Sequence, residues 1–216
     1  RGNGVRVAGI DARARVLPVR VLGRGGGYIS DVADGLMWAV GAPVAGVPAN
    51  PTPARVANLS LGGAGVCSRE MQAALDEAWA RGAVVVASAG NLAQDVSNTV
   101  LASCQRLLVT ASVGKGGEMA SYSNFGAGVT LAAPGGNAAS DPGILSLGDT
   151  GKQRPLLDNS YRRKRGTSMA APHVAGTAAL TLLIPCPFSH SLLALPLLLS
   201  LLSLLSLLSL LSLLSL

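Results

Sequence analysis

The sequence predicts an α/β fold, in which a mainly parallel sheet is doubly wound between helices. Short runs rich in valine, leucine and alanine, bounded by Gly, Ser or Asn, alternate along the chain with longer helical patterns. Strands that are buried on both faces have such continuous apolar runs, which is typical of parallel sheets. The 216 residues suffice for one domain with a sizeable core.

Five runs have the length and composition of buried strands: residues 16–22, 56–61, 84–89, 107–111 and 129–132. In a doubly wound sheet, ligands bind at the carboxyl ends of the strands. Gly62, Gly63 and Asn91 follow two of these runs directly. We therefore expect a binding site near them.

Two helices are predicted between the strands. Ser68 is the predicted N-cap of the clearer one, and Gly82 is expected to end it. Its apolar residues fall at i, i+3, i+4, i+7 and i+8 and are Met71, Ala74, Leu75, Ala78 and Trp79. Ser30 is predicted to open the other helix, which should run to about residue 40.

The most informative segment is residues 166–176, with the sequence GTSMAAPHVAG. It places Ser168 at the start of a helix, where free backbone N–H groups and the positive end of the helix dipole favour negative charge. Gly166 allows close approach to the backbone, and the alanines let the helix pack closely on a sheet. Ser168 is therefore a candidate nucleophile, the alternative being an N-capping serine on a buried helix.

These eleven residues resemble the nucleophile segment of the subtilisin-like serine proteases, the subtilases. Three further segments resemble the same family in the family's order. Residues 16–22 (VLPVRVL) with residues 30–35 (SDVADG) are similar to the part that follows the catalytic histidine. Residues 58–63 (NLSLGG) are similar to the substrate-binding edge, and residues 84–91 (VVVASAGN) to the oxyanion-hole strand. The resemblance covers roughly residues 1–183.

The resemblance implies a serine endopeptidase that acts on extended peptides or proteins through an acyl-enzyme. It assigns the nucleophile to Ser168 and the oxyanion donors to the Asn91 side chain and the Ser168 backbone N–H. The residues implied to pair with the substrate are Ser60, Leu61, Gly62, Gly63, Gly25, Gly26 and Gly27. Those implied to wall the first specificity pocket are Ala87, Ser88, Ala89 and Gly90, whose small size suggests room for a bulky side chain.

A serine nucleophile of this type also needs a histidine base and an aspartate that orients it. The chain has two histidines. His173 lies five residues after Ser168, about 140° around the helix, so we expect a packing role for it. His190 lies outside the resemblance. Asp11 follows an apolar run, but Ala12 stands where the resemblance implies Thr or Ser, so we do not expect Asp11 to be the triad aspartate.

We therefore expect residues 1–184 to be part of a subtilase catalytic domain that begins after the catalytic histidine and is inactive alone. A non-catalytic, peptide-binding pseudoprotease is the alternative. Residues 185–216 form a tail that is nearly all leucine and serine. A translated simple repeat is the favoured interpretation of this tail, and a membrane-anchoring helix is the alternative.

The formal net charge is +6, and residues 162–165 (RRKR) contribute four positive charges. No aromatic residues interleave with them, so nucleic-acid binding is not expected. We interpret these residues as a solvated loop. Arg165 stands where the resemblance implies a small polar residue, so crowding of the nucleophile is also considered.

The three cysteines are Cys67, Cys104 and Cys186. Some secreted subtilases have a cysteine pair in the region of the first two, which implies a Cys67–Cys104 disulfide, with two free buried thiols as the alternative. The pair favours an extracellular or secretory location. No spacing suggests a zinc site or a cofactor; the resemblance allows structural calcium, although no acidic cluster nominates ligands. We expect a monomer.

Overall fold

A four-stranded parallel sheet is the centre of the protein, whose computed structural model describes residues 7–137, 141–151, 156 and 160–183. The strands are β1 (Val56–Leu59), β2 (Val84–Ser88), β3 (Leu108–Val113) and β4 (Leu131–Pro134), paired in that order. All three pairs are parallel, with Val56 opposite Val84 and Thr110 opposite Leu131. The predicted α/β fold is therefore confirmed.

Helices cover both faces of this sheet. α1 (Ile29–Ala39) and α2 (Arg69–Ala80) share an apolar core with Val85 and Ala87 of β2. α3 (Thr167–Thr181) packs on the other face, where Val86 points. Because successive side chains of a strand point to opposite faces, β2 contributes to both cores, and the fold is doubly wound as predicted.

α2 forms as its sequence predicts. The Ser68 hydroxyl accepts a hydrogen bond from the Met71 N–H at 3.1 Å, which satisfies one free donor of the first turn. Four of the five apolar residues are buried, whereas Trp79 lies at the rim and is 40% exposed. Gly82 has φ +72°, the left-handed conformation that commonly follows a helix end.

α1 differs from its prediction at the start. The helix begins at Ile29 with Tyr28 as the N-cap, and no side chain caps it. Ser30 therefore lies inside the first turn and does not cap the helix. The buried residues Val32 and Leu36, spaced at i and i+4, fix the helix on the core.

The prediction of a strand over residues 16–22 is wrong. Exposure alternates along the segment as it would in a strand, and Val19 and Val21 pack close to Gly35 of α1. However, no adjacent strand in the described part of the chain pairs with it. An extended segment without a hydrogen-bonded neighbour is not a sheet strand.

The other four predicted strands differ from the observed ones by one or two residues at their ends. β1 and β2 end earlier than predicted, at Leu59 and Ser88. β4 starts at Leu131 because Val129 still belongs to a turn, in which its N–H bonds to the Gly126 carbonyl at 3.1 Å. β3 runs on to Val113 and so extends past the predicted end.

Residues 162–165 do not form the predicted loop. β6 (Tyr161–Lys164) pairs antiparallel with β5 (Ile144–Leu147), with Ile144 opposite Lys164. The backbone N–H and C=O groups that pair the two strands are independent of the side chains. This pairing orders the basic segment although its side chains are exposed.

Cys67 and Cys104 form a disulfide with a Cα–Cα distance of 5.0 Å, as the resemblance implied. The bond joins the residue before α2 to the loop that leads into β3. Cys186 and the predicted tail, residues 185–216, lie outside the described residues. Of the helices in the described part of the chain, none combines the length and apolarity needed to cross a bilayer.

Replacing both Cys67 and Cys104 by Ser, in a Cys186→Ser background that prevents exchange, should lower the free energy of unfolding. The bond closes a loop of 37 residues, for which chain entropy gives about 3 to 4 kcal/mol. Urea unfolding of the single variant and the triple variant measures the difference. Equal midpoints would show that the bond does not stabilise the fold.

Candidate active site

Ser168 is the second residue of α3, and the helix begins close to the carboxyl ends of the strands. The N-cap is Gly166, with φ +146°, and its N–H bonds to the Gly135 carbonyl just after β4 at 3.0 Å. The Ser168 hydroxyl donates to the Ser60 carbonyl oxygen at 3.3 Å. Ser168 is therefore not the N-cap, and its hydroxyl lies on the side of the helix that faces the end of β1.

Asn91 is held at the same helix start. Its Oδ1 accepts hydrogen bonds from the Thr167 N–H at 2.8 Å and from the Thr167 hydroxyl at 2.9 Å. These two bonds fix the plane of the carboxamide. Its Nδ2 donates to no other described residue and lies at an exposed position.

The Asn91 carboxamide and the Ser168 backbone nitrogen both lie close to Gly166. A Cβ placed on Gly166 would lie 3.6 Å from both Nδ2 and Oδ1 of Asn91 and 3.7 Å from the Ser168 backbone nitrogen. One point therefore lies within 4 Å of both nitrogens. Any side chain at position 166 would occupy the space between these two groups.

Thr167 is a functional residue that the sequence analysis did not single out. It is fully buried, and its hydroxyl accepts from the Gly90 N–H at 3.1 Å while it donates to Asn91. A threonine beside a nucleophile is an ordinary helix residue by pattern alone. The feature that could have identified Thr167 is a hydroxyl at the first position of a helix that starts beside the end of a strand.

Asn124 supports the loop that carries Asn91. Its Oδ1 accepts from the backbone N–H groups of Leu92 and Gln94 at 2.9 and 3.2 Å. Its Nδ2 donates to the Ala89 carbonyl and the Thr99 hydroxyl at 2.9 and 3.2 Å. The side chain is 1% exposed, so its hydrogen-bonding capacity is fully used inside the protein. No sequence pattern marks this asparagine.

Ser60 and Ser168 are joined by two hydrogen bonds. The Ser60 hydroxyl donates to the Ser168 carbonyl at 3.0 Å, in addition to the bond from Ser168 Oγ to the Ser60 carbonyl. Pro172 has no N–H, so the helix cannot supply the usual partner of the Ser168 carbonyl. The Ser60 hydroxyl takes that place and is itself held by Asn58 Nδ2 at 2.9 Å.

The other predicted substrate-binding residues fall into two groups. Gly62 and Gly63 are exposed after β1, Leu61 accepts a bond from the Ser88 hydroxyl, and Gly63 accepts one from the Val100 N–H. Ala87 and Ala89 are fully buried. If residues 87–90 form the wall of a pocket, the wall therefore consists of their backbone and of Gly90.

Residues 25–27 belong to a separate turn, closed by hydrogen bonds between Gly23 and Gly26. Gly26 and Gly27 line a cavity of about 520 Å³ beside Trp38 of α1. Within the described ranges, no hydrogen bond joins this turn to residues 60–63 or to Ser168.

Neither His173 nor Asp11 reaches the Ser168 hydroxyl. The Nδ1 of His173 contacts the Met169 carbonyl at 2.8 Å, one helical turn back. Asp11 accepts from the Arg13 N–H at 2.8 Å in a local turn. The adjacent Ile10 lies against Gly176, eight residues and about 12 Å along the helix axis from Ser168. His190 lies outside the described residues.

Arg165 is tied to the loop after β4. Its Nη1 donates to the Asn137 carbonyl at 3.1 Å, and its Cγ lies close to Gly136. The pKa of Asp141 is lowered, mainly by the hydrogen bond that its carboxylate accepts from the Gly143 N–H, and also by the charge of Arg165. The side chain of Arg165 is therefore held over this loop and does not crowd the nucleophile.

No group of three His, Cys, Asp or Glu side chains among residues 7–137, 141–151, 156 and 160–183 is placed to hold a metal ion. Structural calcium stays a prediction without ligands.

Asn124→Ala should lower the free energy of unfolding by about 2 to 4 kcal/mol, since two buried and two part-buried polar groups lose their partner. Asn98→Ala, at an exposed residue of the neighbouring 3₁₀ turn, is the matched control and should cost less than about 0.5 kcal/mol. Urea unfolding measures both, and hydrogen exchange of residues 89–94 locates the effect. A similar small change in both variants would contradict the role of Asn124.

Asp141 provides a pH-dependent restraint on the loop. Because its pKa is lower in the folded protein, its contribution to stability is present above the usual aspartate pKa of about 3.9 and is lost as the pH falls through the lowered value. The amide shift of Gly143, followed by NMR, should titrate with a midpoint below about 3.9. Asp141→Asn should abolish that titration. A midpoint at or above the usual value would contradict the assignment.

A model of the subtilase family, also called peptidase S8, matches residues 2–183. The chain is 49% identical over 180 residues to an extracellular basic protease of Dichelobacter nodosus, covering 83% of this chain and 29% of that protein. It is 48% identical over 178 residues to an extracellular protease of Xanthomonas campestris, covering 82% of this chain and 30% of that protein.

Among solved structures, a protease from Pseudoalteromonas arctica superposes with a TM-score of 0.76 at 47% identity, covering 80% of this chain and 51% of that one. The chain thus spans about 30% of the length of the two curated relatives. The family match covers most of the chain and includes every residue of the geometry around Ser168 and Asn91. The chain belongs to the subtilase family.

Proposed function

We propose that this chain supplies the nucleophile and the oxyanion hole of a serine endopeptidase. The observation that carries the proposal is that Asn91 Nδ2 and the Ser168 backbone nitrogen lie within 4 Å of one point beside Gly166, while Thr167 engages Asn91 Oδ1 with two hydrogen bonds. Two preorganised N–H donors directed at a common point are what a tetrahedral oxyanion requires. Protease names among the relatives agree with this chemistry.

In the proposed reaction, Ser168 Oγ attacks the carbonyl carbon of the scissile peptide bond. The carbonyl π electrons move to its oxygen, which accepts hydrogen bonds from Asn91 and the Ser168 N–H. Collapse of this intermediate expels the amine, which takes up a proton, and leaves an acyl-enzyme. Water then hydrolyses the ester and regenerates Ser168.

The proton transfers need a base, and the described residues place none beside Ser168. His173 is occupied by a backbone carbonyl, and the Ser168 hydroxyl donates to Ser60. We therefore propose that the chain is inactive by itself, since no histidine and aspartate side chains among the described residues are placed to act as base and orienting group for Ser168. The same observation favours the second candidate, a peptide-binding protein without catalysis.

The proposed substrates are extended peptides, which would pair along residues 60–63, of which Gly62 and Gly63 are exposed. We also propose that the protein is secreted, because the relatives are named extracellular and because the Cys67–Cys104 disulfide persists in oxidising compartments.

Labelling by a fluorophosphonate tests the nucleophile. The chain should react slowly on its own, and added imidazole should accelerate the labelling by supplying a base in place of the absent histidine. Gel fluorescence against time measures the rate, and Ser168→Ala should stay unlabelled at every imidazole concentration. Labelling that persists in Ser168→Ala, or none in either protein, would refute the protease proposal and leave peptide binding.

Asn91→Asp isolates the oxyanion donor. The aspartate keeps the acceptor for both Thr167 bonds but has no N–H to donate, so the imidazole-assisted labelling rate should fall by about 100-fold or more. The free energy of unfolding, measured in urea, should change little and so serves as the control. An unchanged labelling rate would show that Asn91 has no role in the oxyanion hole.

A further inference from the structure

The basic strand β6 leads directly into the proposed nucleophile. Arg162, Arg163, Lys164 and Arg165 are all exposed and are followed by Gly166, the N-cap of α3. Four consecutive exposed cations beside a binding cleft create a strong local potential. Neither the fold nor the proposed chemistry explains why the charge is concentrated here.

Most of this charge is not compensated within the described part of the chain. The two salt bridges found there, Arg81–Glu77 and Arg106–Asp76, both involve acidic residues of α2 and none of β6. Arg163 donates to the neutral Gly143 carbonyl at 2.9 Å, and Arg165 to the neutral Asn137 carbonyl. Asp141 faces Arg165, and Glu118 contacts Asn137 in the same loop. Arg162 and Lys164, which share one face of β6, have no acidic partner among the described residues.

The location of these cations relative to Ser168 follows from the sheet. Ser60, after β1, contacts Ser168, whereas Gly166 and Arg165 are bound to Gly135 and Asn137 after β4. β1 and β4 are the outer strands of a four-stranded sheet, about 14 Å apart. Arg165 therefore lies on the far side of Ser168 from residues 60–63, which are proposed to hold the acyl part of the substrate, and β6 leads into Arg165 from that side.

We propose that Arg162 and Lys164 select peptides with acidic side chains after the scissile bond. This inference rests on the proposed function, because it places the leaving-group part of the peptide along β6. Carboxylates arriving at that position would meet two exposed cations that have no acidic partner among the described residues. The occupant is a peptide segment, because its acyl part would be held by residues 60–63 on the other side of Ser168.

Binding of labelled peptides to the full 216-residue chain tests the inference, with fluorescence anisotropy as the readout. One peptide has a single leucine among alanines, a second has a glutamate block after the leucine, and a third has it before the leucine. At about 0.05 M salt the second should bind roughly five- to tenfold tighter than the other two, and the difference should shrink at about 0.5 M salt.

Arg162→Ala/Lys164→Ala should abolish this preference while leaving the neutral peptide's affinity unchanged. Arg13→Ala/Arg55→Ala removes the same charge at two exposed arginines, one in the turn after Asp11 and one just before β1, that have no acidic partner among the described residues, and it should keep the preference. Equal tightening by both glutamate blocks, or an equal loss in both double variants, would overturn the inference. Tighter binding of a single-stranded RNA of the same length would assign the strand to nucleic acid instead.

The two proposals fail separately. If the neutral peptide does not bind at all, the peptide site of the proposed function is wrong. If it binds and the acidic peptide binds no tighter, only the role of Arg162 and Lys164 is wrong.

Discussion

The pair of hydrogen bonds from Thr167 to Asn91 Oδ1 is the interaction on which the candidate site depends. It connects two segments separated by 76 residues, the end of β2 and the start of α3. A free asparagine amide could present either its oxygen or its nitrogen to a substrate. Because Thr167 uses both lone pairs of the oxygen, the N–H₂ is the part of the amide that is left to bind a substrate. Electrostatic stabilisation of an oxyanion needs this orientation to exist before the substrate arrives.

Further bonds hold the two partners of that interaction. Asn124 fixes the 89–94 loop from beneath with four hydrogen bonds, and Ser60 binds the Ser168 carbonyl that Pro172 leaves without a helical partner. A proline in the first turns of a helix normally costs a hydrogen bond. Here the lost bond frees a carbonyl to join the nucleophile to the end of β1, so the local defect links the helix to the proposed substrate edge.

Sequence reasoning predicted most of the fold because its signals are local. The apolar runs of β1 to β3 and the Ser68 cap with its helical stripe each depend on a few adjacent residues. The strand over residues 16–22 was wrong because pairing depends on a neighbour, which local composition does not reveal. The hairpin of β5 and β6 was not predicted, because a run of four cations lacks the apolar residues typical of a strand. Only its pairing with β5 shows that it is one. Asn124 and Thr167 carry no pattern, because their importance comes from contacts made across 25 to 77 residues.

The described contacts also explain how the candidate site can be ordered without a base. The hydrogen bonds described around Asn91, Gly166 and Ser168 come from β1, β2, β4, their following loops or α3. None of these bonds uses a histidine or an aspartate side chain. Since the proposed oxyanion donors are backbone and amide groups, their geometry does not depend on the protonation state of a base. Under the proposed function, stabilisation of the oxyanion and proton transfer are thus physically separable, and the first rests on the sheet and α3.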